Sequence, residues 1–174
     1  MCIRDSYKRV DLVIEACAAL DARLVVVGSG PAEASLRALA GPRCDFRSAV
    51  GDDDLRSLLA GCTALIQPGL EDFGLTPLEA NAAGRPVVAF GAGGALESVV
   101  DGVTGVHFAE QSVPAVRAAL ERVRDKDWRP ESLRRYAQVA SEERFRHDMR
   151  RVILDTVAGP GRTIATPDRA LASG

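Results

Sequence analysis

What most limits the fold of this chain is a rhythm of short apolar runs, each followed by a turn and a segment of helical period. Leu24-Val25-Val26-Val27 ends in Gly28-Ser29-Gly30-Pro31, and Thr63 to Gln67, Pro86 to Phe90 and Gly105 to Phe108 repeat the theme. Cys44 to Arg47 is a more polar strand candidate. Runs this short, without polar alternation, suit strands covered on both faces. Between them lie helical stretches. Arg9 to Leu20 carries Val10, Val13, Ile14 and Cys17 on one stripe, and Ala32 to Ala40 follows the Gly-Ser-Gly turn. Asp52 to Ala60 opens with three acidic residues, which suit the positive end of a helix dipole. Pro77 to Ala83 and Leu96 to Val100 complete the series. Strand and helix alternating through short connections predict an α/β fold, a Rossmann-like three-layer parallel sheet with helices on both faces.

Beyond the last strand the chain turns helical. Val113, Val116, Leu120 and Val123 recur at helical steps, Glu131 to Val139 predicts a further helix, and Glu142 to Val157 places Phe145, Met149, Val152 and Ile153 on one face. The reading is one domain over 7–158 with a helical C-terminal extension. Residues 159–174, rich in Gly, Pro, Thr and Ala and without period, are expected to be a disordered tail.

Composition removes several function classes. Apolar residues make up 47% and aromatics 5%, a balance that fits helices on a parallel sheet. A formal net charge of −2 argues against a general nucleic-acid partner. Cys2, Cys17, Cys44 and Cys62 form no C-x-x-C pair and sit mostly among apolar residues, as reduced thiols do. Without a secretory leader in the reading, the expected location is cytoplasmic. The longest apolar stretches are interrupted by charge, so no membrane span is expected.

In parallel sheets, ligands bind beyond the carboxyl ends of the strands, where helix N-termini offer unpaired N–H groups. The loop after the third strand is the candidate: Pro68-Gly69-Leu70-Glu71-Asp72-Phe73-Gly74-Leu75-Thr76-Pro77-Leu78-Glu79-Ala80. Gly74 permits close backbone approach to an anion. Glu71 lies on the loop, and Glu79 follows eight positions later on the helix.

The segment Glu71 to Ala80 resembles the E-x7-E motif of the family 4 retaining glycosyltransferases. Gly84-Arg85-Pro86-Val87-Val88-Ala89, Gly93-Gly94-Ala95-Leu96-Glu97, Tyr7-Lys8-Arg9-Val10-Asp11-Leu12 and Gly28-Ser29-Gly30-Pro31 are similar to that family's neighbouring segments. Glu-Asp-Phe-Gly with Gly-Gly-Ala-Leu-Glu most resembles its mannosyltransferase branch. The resemblance implies the nucleotide-sugar-binding C-terminal half of a two-domain GT-B architecture. It implies a GDP-mannose donor in preference to UDP-sugars, a glycan or lipid-linked acceptor held by an absent N-terminal domain, and transfer with retention, without metal or other cofactor. Peripheral contact with the inner membrane face through the full-length protein is part of that picture.

Residue by residue, the resemblance implies that Lys8 neutralises the donor diphosphate, while Phe73, Gly74, Leu75 and Thr76 hold phosphate through main-chain N–H groups. Glu79 would accept from the ribose hydroxyls, Glu71 would meet the transferred sugar, and Val50 would line the base. Glu71 and Lys8 are thereby the catalytic candidates. The family's Arg five residues before the Lys is Ile3 here, and Met1 to Ser6 reads as a non-native leader lacking the expected Gly-Arg strand.

Plainer readings stand beside these. Thr76-Pro77-Leu78-Glu79 is also a capping box with proline first in the helix. Gly28-Ser29-Gly30 is a tight turn, since Glu33 stands where a dinucleotide fingerprint needs glycine. Gly91-Ala92-Gly93-Gly94 is either a flexible turn or a neighbour of the donor sugar. His107 and His147 are read as structural, and Arg144, Arg146, Arg150 and Arg151 as a solvated helix face. The rival function is a non-catalytic Rossmann-like nucleotide-binding or regulatory module.

Overall fold

The computed structural model describes residues 8–157; the expected leader at 1–6, Tyr7 and the expected tail at 159–174 fall outside them. Strands and helices alternate as α1 (Val10–Ala19), β1 (Leu24–Val27), α2 (Glu33–Leu39), β2 (Cys44–Arg47), α3 (Asp52–Gly61), β3 (Leu65–Gln67), α4 (Leu75–Ala82), β4 (Val87–Phe90), α5 (Ala95–Ser98) and β5 (Gly105–Phe108). The helical extension follows as α6 (Val113–Arg124), α7 (Pro130–Ala137), a single 3-10 turn at Gln138–Ala140, and α8 (Glu142–Val157). Every strand pairing is parallel. The chain is the α/β fold its rhythm predicts.

β4 shows why an unbroken apolar run is needed. It pairs with β3 on one side and β5 on the other. Val88 joins a core with α1 and α6 that includes Leu12, Val13, Cys17, Val106, Phe108 and Val116. Val87 and Ala89 point into a second core with Leu59, Ala80, Ala95 and Val99 on the opposite face. Successive side chains thus bury in opposite layers, the geometry of a strand between two helix layers.

Among the described residues the strands form two pieces. β1 pairs with β2, and β3–β4–β5 form a second piece; among the described residues no ladder joins β1 to β3. A cavity of about 650 Å³ lies between them. Its borders account for the lower burial of β1, where only Val26 is fully covered.

α6 is capped by the Ser112 hydroxyl, which accepts from the Ala115 N–H at 3.4 Å, and carries proline in its first turn. Trp128 closes its far end by donating Nε1–H to the Val123 carbonyl at 2.7 Å. α7 packs on α4 through Leu133, which is buried. α8 contributes no buried residue, and Phe145, Met149, Ile153 and Leu154 on it are exposed. Its arginines face solvent, Arg144 paired with Asp148 and Arg146 with Glu142, as the plain reading has it.

Candidate active site

The site is assembled at the carboxyl end of β3. Pro68 and Gly69 are buried as the chain leaves the strand, and Gly74 turns it into α4 with φ 76° and ψ 78°, a left-handed conformation that glycine adopts without penalty. α4 begins at Leu75, two residues earlier than the proline suggests. Gly74 is the N-cap and no side chain caps the helix. The Thr76–Glu79 capping box is therefore corrected: Thr76 and Pro77 lie inside the first turn. Proline is tolerated there because the first-turn N–H groups have no partner within the helix in any case. The same fact leaves the Leu75 and Thr76 N–H groups without an intrahelical acceptor, directed out of the helix end.

Lys8, at the entrance to α1, reaches across to this loop. Its ammonium donates to the Glu71 carboxylate, joining residues 63 positions apart. Both side chains are largely covered, 15% and 24% exposed, which removes much of the solvent screening that weakens a surface pair. The two residues named as catalytic from the sequence are thus in contact. Phe73 and Leu75 are exposed beside them, at 57% and 62%, unusual positions for large apolar groups. Glu79 is exposed on α4, and Val50 is half-buried in the loop between β2 and α3.

A second loop fixes the path of the first. The Gly94 N–H donates to the Glu71 carbonyl at 2.7 Å. A Cβ on Gly93 would stand 2.5 Å from the Glu71 oxygen, and one on Gly94 would stand 2.5 Å from the Phe73 Cα and 2.6 Å from the Asp72 oxygen. The Gly-Gly pair is therefore in main-chain contact with the Glu71–Phe73 loop.

Sequence reasoning missed Gln67. It ends β3, is 6% exposed, and neither side-chain amide atom has a hydrogen-bond partner among the described residues. A Cβ at Gly74 would come 3.1 Å from its Nε2, so this amide lies directly under the turn. A glutamine closing an otherwise apolar strand was the available signal. Asn81, at the other end of α4, is 0% exposed and donates to the Arg85 and Thr104 carbonyls at 2.9 and 3.1 Å. It ties the helix to the segments flanking β4 and β5.

The main-chain N–H of His107 donates to Asp101, which lies between α5 and β5, and His147 is exposed on α8. Burial pushes the Asp101 carboxyl up, but the His107 N–H and the Arg122 guanidinium outweigh it and hold it below its ordinary value. No helix among the described residues is long and apolar enough to cross a membrane.

Comparison with known proteins gives this geometry a context. The family model for glycosyl transferases group 1 matches residues 4–140. The alpha-1,3/1,6-mannosyltransferase ALG2 of Dictyostelium discoideum is 47% identical over 64 residues, 36% of this chain and 15% of that protein. A GDP-mannose-dependent alpha-mannosyltransferase of Corynebacterium glutamicum is 31% identical over 157 residues, covering 77% of this chain and 38% of its own. Among solved structures, Anabaena HepE in complex with UDP and glucose superposes with a TM-score of 0.70 at 22% identity, covering 91% of this chain and 47% of that one, a likeness of fold. The chain spans less than half the length of each of these relatives.

Proposed function

The chain belongs to the group 1 glycosyl transferases, and on that premise we propose that it is the donor-binding part of a retaining hexosyltransferase that moves mannose from GDP-mannose. The Lys8–Glu71 contact at the start of α4 carries this reading. It brings a cation and a carboxylate together beside main-chain N–H groups that lack helical partners, the set of groups a sugar diphosphate requires.

In the proposed complex, Lys8 turns from Glu71 to the diphosphate, and the N–H groups of Phe73, Gly74, Leu75 and Thr76 take the phosphate oxygens. Glu71, released from its ion pair, faces the transferred sugar, where a carboxylate favours the positively charged ring of the transition state. Glu79 accepts from the ribose hydroxyls and Val50 lies against the base. The end of α4 would supply about 0.3–1 kcal/mol through its dipole, up to about 2 if partly buried. That is small beside a typical enzymatic acceleration of at least about 8 kcal/mol, so the direct charge of Lys8 is assigned the larger share of leaving-group stabilisation. The reading includes no metal: donor affinity should be unchanged by a chelator.

Mannose is favoured over glucose by the two mannosyltransferase relatives, while the UDP complex of HepE supports the same kind of site for another base. We assign the acceptor, a glycan or lipid-linked saccharide, to sequence beyond this chain, and the location to the cytoplasm with peripheral membrane contact through the full-length protein. Calorimetric titration of the chain with GDP-mannose and with UDP-glucose tests the reading. GDP-mannose should bind the more tightly, and Lys8→Ala and Glu79→Ala should each weaken it by about tenfold or more, the loss of a charge-assisted hydrogen bond. Binding of neither nucleotide would overturn the proposal in favour of a structural Rossmann-like module. Tighter binding of UDP-glucose would overturn only the choice of donor.

A further inference from the structure

Gln67 is the last residue of β3 and stands in register with Ala89 of β4. Side chains alternate along a strand, so Gln67 points into the same layer as Leu65, the layer that holds Ala80 of α4. Its amide ends under the Gly74 turn: a Cβ on Gly74 would stand 3.1 Å from Nε2 and 3.6 Å from Oε1. Neither amide atom reaches solvent, and neither has a hydrogen-bond partner among the described residues.

Packing alone does not call for an amide here. Leucine or methionine would fill the space beside Ala89 without burying two unpaired polar atoms, which is unfavourable. A polar group kept in such a place needs a partner to explain it. Gly74 offers one. At the starts of α3 and α6 the capping residue's carbonyl accepts the first helical N–H, Leu55 to Gly51 at 2.9 Å and Val116 to Ser112 at 3.0 Å. No equivalent bond of hydrogen-bonding geometry joins Leu78 to the Gly74 carbonyl at the start of α4. The turn therefore sets an acceptor short of a donor close to an amide short of an acceptor.

Two other carbonyls of this loop are already held from neighbouring loops. Gln111 donates its Nε2–H to the Pro68 carbonyl at 2.9 Å, and the Gly94 N–H donates to the Glu71 carbonyl at 2.7 Å. A peptide group is planar and trans, so its C=O and N–H point in opposite directions. Drawing the Gly74 carbonyl inward onto Gln67 turns the Leu75 N–H outward from the helix start. Because no solvent reaches the amide, a bound donor could not touch Gln67 without displacing the turn. Its effect must pass through the Gly74–Leu75 peptide.

Resting on the donor-site reading above, we propose that Gln67 is a positioning residue for phosphate binding: its Nε2–H donates to the Gly74 carbonyl and aims the Leu75 N–H at the donor diphosphate. The bond forms as the diphosphate settles, when Lys8 leaves Glu71 and the Glu71–Gly74 loop shifts onto the amide.

Calorimetric titration and thermal unfolding of the 174-residue chain, with GDP and UDP as probes, test this. Gln67→Met keeps the length of the side chain and removes the amide. It should weaken the tighter-binding nucleotide by about tenfold, the loss of one hydrogen bond, while the unliganded protein melts no lower than the wild type. Gln67→Glu keeps the shape but sets an acceptor against the carbonyl, and should bind no better than Gln67→Met. In NMR spectra the Gln67 side-chain amide protons should move downfield and exchange about tenfold more slowly once nucleotide is bound. Wild-type affinity in either variant overturns the proposal. So does an affinity loss in Gln67→Met that comes with a matching fall in melting temperature without nucleotide, the mark of packing alone. Unmoved Gln67 amide protons overturn it too. In each of these cases the wild type still binds nucleotide, and the donor-site reading stands. Binding of neither nucleotide by the wild type would overturn both.

Discussion

β1 and β4 are strands of equal length and nearly the same composition, Leu-Val-Val-Val against Val-Val-Ala-Phe, yet they occupy unlike surroundings. Val87, Val88 and Ala89 are all 0% exposed, between two hydrogen-bonded neighbours and two helix layers. β1 has a ladder on one side and a cavity on the other. An apolar run specifies that a segment is extended and covered; it does not specify how many partners complete it. The β3–β4–β5 piece, with α4, α5 and α6 packed on it, is the firm platform that carries the Glu71 loop. The β1–β2 piece is held through α1 and a small core of Val10, Ile14, Val26 and Leu36. Opening free energies should differ accordingly, with the amides of β1 and β2 exchanging sooner than those of β4.

The largest effect expected from this contrast is at Gly105. A Cβ there would lie 2.1 Å from the Val87 carbonyl oxygen, a main-chain atom that can move only if β4 and β5 part. Gly105→Ala should lower unfolding free energy by about 3–5 kcal/mol in urea titrations. Gly41→Ala, where the added carbon meets nothing within 4 Å, should change it by no more than about 0.5 kcal/mol. Equal losses at the two sites would break the comparison.

Cys17 tests whether the cavity side of the molecule stays dry. Burial, with a smaller contribution from nearby Cys44, pushes its thiol up to about 11. An unfolded cysteine titrates near about 8.5, so the folded state binds the proton more tightly. Its stabilisation is complete below about pH 8.5 and is lost as pH rises toward about 11. Over that window the protein should lose about 3 kcal/mol more than a Cys17→Ala variant, measured under reducing conditions. A common slope for both proteins would mean that water reaches the thiol.

Asn81→Ala removes the donor shared by the Arg85 and Thr104 carbonyls and should cost about 2 kcal/mol in the same titrations. The smallest effect is a gain. Gly61 ends α3 with free space around it, and Gly61→Ala should stabilise by about 0.5 kcal/mol through reduced freedom of the unfolded chain.

Much of this was legible in the residues. β2, β5 and α8 begin and end where the apolar and helical patterns place them, because those signals are local. The division of the sheet was not legible, since Leu24–Val27 has the same apolar character with one partner or two. In the site, the Glu71–Glu79 loop was readable, but the start of α4 was not. Thr and Pro imitate a helix entry, while the conformation of Gly74 sets the real one. The Lys8–Glu71 contact joins distant segments, and no spacing rule reaches across 63 positions. Gly93 and Gly94, readable in sequence as a flexible turn or as a neighbour of the donor sugar, fit tightly against the Glu71–Phe73 main chain.

That fit limits how this site can diversify. Where two loops meet through bare backbone, as Gly94 and Glu71 do, neither can lengthen, shift or gain a side chain at the contact without moving the other. The course of the chain through these two loops is therefore frozen for any descendant that keeps the contact. New substrate preferences would have to be written in the groups that project from it, such as Leu70, Asp72 and Leu96, all of which reach solvent.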